Sequence, residues 1–352
     1  MRTRLVVLMA VALAVVAAPA VSADERSDEE GRLQAIYDDS MAGSVGGTGG
    51  FYLKAVGGPV LLDSNETYVH DPASAIKVLG HLHAMREVQA GRDDLWGSFT
   101  SFRYPSSRNS GGDPSSPNLC PAAEDEVQAN RETEPLQFGL AKMMQVSDNR
   151  ATRGVVLRYG LPALNALAKS LGMSQTKWDQ DLVGCGYEGD KRNALTPVDI
   201  GKLYEAVASG RVLDSKRTGE FWSLMASQPV RRGDHLLEII QDEARKLGKP
   251  AAIGPVAERL VRRFKGGSYN ICGDLLCVTH LVIREIDGVA SIPFKVGGAV
   301  QMRDFVFSSF IADAQAVCLE YPCPKADEIQ AGMYLGADEL LRSVIRSALQ
   351  TW

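Results

Sequence analysis

The 352-residue sequence has only five histidines, and none belongs to a His-Glu-x-x-His pattern. His81 and His83 are two apart in a helical stretch and so diverge, His235 and His280 stand alone, and the pattern of a histidine-based metal or triad site is missing. These imidazoles are expected to be satisfied or solvated side chains. No glycine-rich phosphate loop follows a strand, since the glycines at 46 to 50 precede one. No internal repeat is present. Positive charge is not in excess either, at a formal net −5, which argues against nucleic acid or an anionic membrane surface as partner. Beyond the N-terminal residues no apolar run approaches the ~20 needed to span a bilayer.

The N-terminus is different. Arg2 and Arg4 precede an apolar run from Leu5 to about Ala18, and Val21-Ser22-Ala23 stands before Asp24-Glu25. A basic segment, a short apolar core and a small-x-small site read as a secretory signal peptide over 1–23. Its removal takes the net charge from −5 to −7. The remaining 24–352 is expected to be secreted or periplasmic and monomeric, with no membrane association once the signal is gone. Six cysteines in an exported chain favour disulfides. Cys272 and Cys277 flank a plausible hairpin loop, Cys318 and Cys323 close another of equal spacing, and Cys120 and Cys185 remain as a long-range pair. Fifteen connectivities are open, and the two Cys-x4-Cys pairs have a rival reading as a zinc site.

Hydrophobic periodicity predicts helices over 28–42, 136–146, 151–159, 162–171, 198–208, 221–227 and about 337–349. A hairpin is expected at 51–56 and 60–63 around Gly57-Gly58, with strands at 264–271, 277–286 and 305–312. Asp71-Pro72 opens a helix in which Ala75, Val78, Leu79, Leu82, Met85 and Val88 recur at a 3.6-residue period. Residues 104–121 are a Pro/Ser/Asn/Gly-rich loop, and 228–262 is ambiguous. Strands at both ends with helices between give an α+β fold: an antiparallel sheet flanked by helices, plus an inserted all-helical lobe. The α/β lobe is expected at about 24–100 and 258–352, the helical lobe at about 101–257.

Three short motifs carry the chemistry. In Ser74-Ala75-Ile76-Lys77 the serine and lysine lie one helical turn apart, so they share a face. A serine hydroxyl needs a base, and a lysine among apolar neighbours can serve because desolvation disfavours its ammonium. The helix N-terminus adds N–H groups for an oxyanion. Ser147-Asp148-Asn149 falls between two predicted helices, where a tight loop can aim Ser147 and Asn149 into a cleft. Lys265-Gly266-Gly267-Ser268 opens a strand pattern whose glycines allow close approach. Alone, the first reads equally as a capping serine with a surface lysine, and the second as an N-cap. The ordered set resembles the penicillin-recognising serine enzymes, class A β-lactamases and their relatives above all.

The resemblance implies an acyl-enzyme hydrolase acting on β-lactam or peptidoglycan-type amide bonds, with no cofactor and no metal. It implies Ser74 as nucleophile, Lys77 as base, Ser147 as proton relay to the leaving nitrogen, and Asn149 as binder of the substrate amide. Lys265, Gly267 and Ser268 would line the substrate, with the N–H groups of Ser74 and Ser268 forming the oxyanion hole. Two positions depart from the family. Gly266 replaces a hydroxyl residue that helps hold a carboxylate. In the loop from Thr176 to Thr196-Pro197 the family's deacylating glutamate aligns with Leu182, leaving Asp181 or Glu188 as the candidate base. A DD-peptidase or esterase of the same fold, or an impaired cell-wall-binding module, are the alternatives.

Overall fold

The computed structural model describes residues 23–102, 131–179, 193–272, 278–318 and 323–352. Residues 1–22 of the expected signal at 1–23, the loop at 104–121 and most of the loop before Thr196 lie outside them. The N-terminal helix α1 (Ala23–Met41) buries Leu33 and Tyr37, four residues apart, against the sheet. The hairpin follows as β1 (Thr48–Ala55) and β2 (Val60–Ser64). A 3-10 turn (Ala73–Ile76) leads into α2 (Lys77–Gln89). A small antiparallel pair, β3 (Ser98–Phe102) and β4 (Arg131–Pro135), comes next. The helices α3 (Leu136–Gln145), α4 (Asn149–Tyr159), α5 (Leu161–Ser170), α6 (Pro197–Ala208) and α7 (Ser215–Leu224) then build the helical side.

The chain returns to the sheet through β5 (Ala226–Pro229), α8 (His235–Lys246), a short α9 (Ile253–Ala257) and β6 (Val261–Cys272). A long hairpin, β7 (Thr279–Val296) and β8 (Ala299–Val317), precedes α10 (Pro324–Glu339) and α11 (Arg342–Gln350). The sheet has six strands in the order β2-β1-β8-β7-β6-β5, every neighbouring pair antiparallel. It is covered on both sides. One core joins it to α1, α8, α10 and α11 through Leu33, Phe51, Ile239, Ile286 and Ile345. The second takes Val289 and Val306 from the other face and packs them with α2 to α7 around Leu82, Met143, Trp178 and Tyr204. The α+β sheet-and-helix architecture read from the sequence is the one observed.

Several element boundaries differ. The helix expected at 221–227 is Ser215–Leu224, and Ala226–Pro229 is an edge strand instead. The ambiguous 228–262 contains α8, whose Leu236, Ile239, Ile240 and Ala244 face the sheet core at helical spacing. The C-terminal helix is two helices, and β3 with β4 was not anticipated. Cys318 and Cys323 form a disulfide, as their spacing suggested. His280 lies with them inside 4.8 Å, but a bonded sulfur pair offers no thiolates, so the rival zinc reading loses two of its four ligands. The pairings of Cys120 with Cys185 and of Cys272 with Cys277 fall outside the described residues.

Candidate active site

Ser74 sits in the 3-10 turn, one step before the α-helix proper. The Asp71 carboxylate accepts the Ala73 N–H at 2.9 Å, and Ala75 N–H donates to Pro72 O at 2.9 Å. Ala73 itself has φ +46°, a left-handed conformation that costs a residue with a β-carbon about 1 to 3 kcal/mol. The turn is pinned from behind: His70 N–H donates to Leu195 O and Leu195 N–H to His70 O, both at 3.0 Å. Thus the segment before Thr196-Pro197, which starts α6, locks the approach to Ser74.

Lys77 opens α2 and is fully buried. Its Nζ donates to Ser147 O at 2.7 Å and Asn149 Oδ1 at 2.6 Å, and lies 3.0 Å from Ser147 Oγ. Ser147 has φ +59°, and this bend turns both its carbonyl and its hydroxyl toward the lysine. Asp148 is the cap of α4, accepting the N–H groups of Arg150 at 2.7 Å and Ala151 at 3.2 Å. Of the three motif residues, two face the lysine and the middle one holds the helix.

Lys265 Nζ reaches the same Ser147 Oγ at 3.0 Å and also donates to Gly266 O at 2.6 Å. The two lysine nitrogens are therefore no more than 6 Å apart. Two ammonium ions at that distance repel by about 3 kcal/mol at an effective dielectric of 20, which eases the loss of a proton from one of them. Burial takes the Lys265 ammonium down to about 8, with Asp287 pulling the other way. A β-carbon added to Gly267 would overlap Pro72 O and stand 3.0 Å from Ala75 N and 3.1 Å from Ser74 N. That glycine is what lets β6 close on the Ser74 turn.

The structure brings Ser74, Lys77, Ser147, Asn149, Lys265 and Gly267 into one place from three distant segments. Ser268 follows on β6 and is exposed beside them. Asp181, Glu188 and Leu182 lie outside the described residues. Sequence reasoning passed over His70, Glu285 and Asp287, which are buried directly behind this wall. The alternation of Glu285 and Asp287 in β7 was the available signal for those two.

The sequence model of the beta-lactamase enzyme family matches residues 31–255. No curated protein matches the sequence. Among solved structures, a β-lactamase from Sphaerobacter thermophilus superposes with TM-score 0.58 at 18% identity, covering 88% of this chain and 96% of that one. A class A β-lactamase from Bacteroides cellulosilyticus gives 0.56 at 14% identity, covering 89% and 98%. A leucine-to-glutamate mutant of PBP-A, solved as an acyl-enzyme with penicillin G, gives 0.57 at 14%, covering 90% and 96%. At these identities the superpositions speak for the fold, while the match over 31–255 speaks for descent. The chain belongs to the beta-lactamase enzyme family.

Proposed function

We propose that this protein is an exported serine hydrolase that opens β-lactam or related amide bonds through an acyl-enzyme on Ser74. The observation that carries the reading is the convergence of Lys77 and Lys265 on Ser147 Oγ, each at 3.0 Å. Ser74 Oγ attacks the carbonyl carbon while its proton passes to neutral Lys77. The oxyanion is held by the N–H groups of Ser74 and Ser268, which Gly267 keeps close together. As the C–N bond breaks, a proton returns through Ser147 to the leaving nitrogen, and the acyl group stays as an ester on Ser74. Asn149 accepts from Lys77 and orients the substrate amide, and Lys265 stays charged to meet a substrate carboxylate.

Water then hydrolyses the ester. With Leu182 in the place of the family's glutamate, that step lacks its usual base unless Asp181 or Glu188 supplies one, and a positioned base is worth roughly 10² to 10⁴-fold. The acyl-enzyme accordingly accumulates. The missing hydroxyl at Gly266 favours the second reading, a DD-peptidase or esterase of the same fold whose preferred substrate is not a classical β-lactam. Export rests on the signal at 1–23 and is supported by the Cys318–Cys323 disulfide, which belongs to an oxidising compartment.

Intact-mass spectrometry after mixing with benzylpenicillin tests the reading. The expected result is one adduct of the full penicillin mass on wild type and none on Ser74→Ala. No adduct on wild type with penicillins, cephalosporins or a fluorophosphonate, or an adduct that persists in Ser74→Ala, would overturn it.

A further inference from the structure

Behind Lys265 the sheet holds two carboxyl groups that the proposed reaction does not use. Asp287 on β7 lies directly opposite Lys265 on β6 and opposite Ser308 on β8, and Glu285 lies opposite Gly267. Residues in such register share a face, with β-carbons about 5 Å apart. Glu285 and Asp287, two apart on one strand, therefore both point toward the Ser74 turn. Both are 0% exposed. Among the described residues no N–H points at any of their four oxygens with hydrogen-bonding geometry, although His70 Nε2 lies 3.2 Å from Glu285 Oε2. The two carboxyls lie side by side and act on each other, and Ser308 faces Asp287 from β8 without a hydrogen bond. Two buried carboxyls so placed resist ionising together, and one proton between them lets one donate to the other.

We infer that Glu285 and Asp287 are positioning residues that jointly hold one proton and one negative charge, and by that charge keep Lys265 as the charged lysine of the site. This rests on the acyl-enzyme reading for its consequence: with Lys265 charged, Lys77 is left as the base. The surrounding groups are consistent with this. Asp71 and His70 face the pair from the Ser74 segment, Tyr204 from α6 and Lys265 from β6, while Asp313 acts on His70 from β8 and Lys77 faces Lys265 across Ser147. Burial lowers His70, so it stays neutral and adds no rival cation. Burial raises Glu285 to about 8 and Asp287 well above the carboxylate range, so the pair gives up its first proton in the same range as Lys265, and the attraction between the two charges sets the order.

The test is the titration of Lys265 itself, read by NMR of protein labelled at the lysine ε-carbon and assigned with Lys265→Arg. In Glu285→Gln/Asp287→Asn the Lys265 midpoint is expected to fall by about 1 to 3 pH units. In Glu285→Gln alone, which keeps a donor beside an ionisable Asp287, it should hold or rise. The alkaline limb of the acylation rate should move with it. A folded double variant with an unchanged midpoint would overturn the inference. If the double variant does not fold, the carboxyl carbons of the wild type decide: one proton lost below the Lys265 midpoint supports the inference, and both retained through it overturns it. Because the midpoint is read without substrate, its failure is separate from any failure to acylate.

Discussion

Gly267 and Pro72 are so close that a β-carbon on the glycine would overlap the proline carbonyl oxygen. This contact sets the spacing between β6 and the Ser74 turn, and so between the two N–H groups assigned to the oxyanion. Gly267→Ala is expected to cost about 1 to 3 kcal/mol from overpacking and to slow acylation far more than stability alone would. Thermal unfolding and single-turnover acylation check this together. Gly266→Ser is the control one residue away, because its added β-carbon would meet nothing nearer than Glu285 O at 3.6 Å. It should fold normally and accelerate capture of carboxylate-bearing penicillins.

Ser147→Gly separates strain from chemistry. The substitution removes a hydroxyl touched by two lysines but relieves a left-handed φ of +59°. Lost hydrogen bonds of about 1 kcal/mol each and strain relief of similar size should nearly cancel. The melting temperature should stay close to wild type while acylation drops by about 10² or more. A parallel fall in both would mean that Ser147 is only a structural bend.

Lys77→Met tests the base. Methionine fills the same buried space but leaves Ser147 O and Asn149 Oδ1 without their donor. Acylation should fall by roughly 10² to 10⁴-fold, measured by adduct formation against time, with Ser74 still the labelled residue in whatever adduct forms.

His81 makes a pH prediction. It is fully buried, stacked on Phe221 at 4.3 Å, and burial takes it down to about 3. A base depressed by folding is protonated more readily in the unfolded chain. Its contribution to stability is therefore whole above pH 6.5 and is lost progressively as pH falls from 6.5 toward 3, by up to about 1.4 kcal/mol per pH unit. His81→Phe keeps the stack and removes the titration. Denaturant unfolding at pH 7 and pH 5 should show a smaller loss in the variant; equal losses would place the acid sensitivity elsewhere.

The three motifs were legible because each couples a chemical side chain to an element boundary, and boundaries are written locally. Ser74, Ser147 and Lys265 could be named without knowing which strands pair. Glu285 and Asp287 could not, since their burial depends on α6 and the Ser74 turn covering that face of the sheet. The length of β7 was hidden for a related reason. Asp287-Gly288 reads as a turn, so the strand seemed to end at Ile286. In the sheet, Gly288 lies mid-strand because a β-carbon there would collide with the Arg263 carbonyl oxygen on β6. Local sequence marks the glycine and long-range packing decides what it is for.

The partnering of β1 with β8 has a consequence for how the chain is made. Thr48–Ala55 finds its central neighbour only in Ala299–Val317, and α1 is tied by ion pairs from Glu29 to Arg346 and from Arg32 to Glu339. At about 5 to 20 residues per second, a ribosome delivers β8 roughly ten to fifty seconds after β1. Throughout that interval β1 and β2 are a hairpin with both edges open, and such a pair is marginal in water. The helical side can collapse early, but the sheet, and with it the wall that carries Lys265, is a late event with slow, non-local closure. A chaperone therefore meets the nascent chain as an unfinished sheet, and truncation before Ala299 leaves β1 and β7 without the strand that joins them.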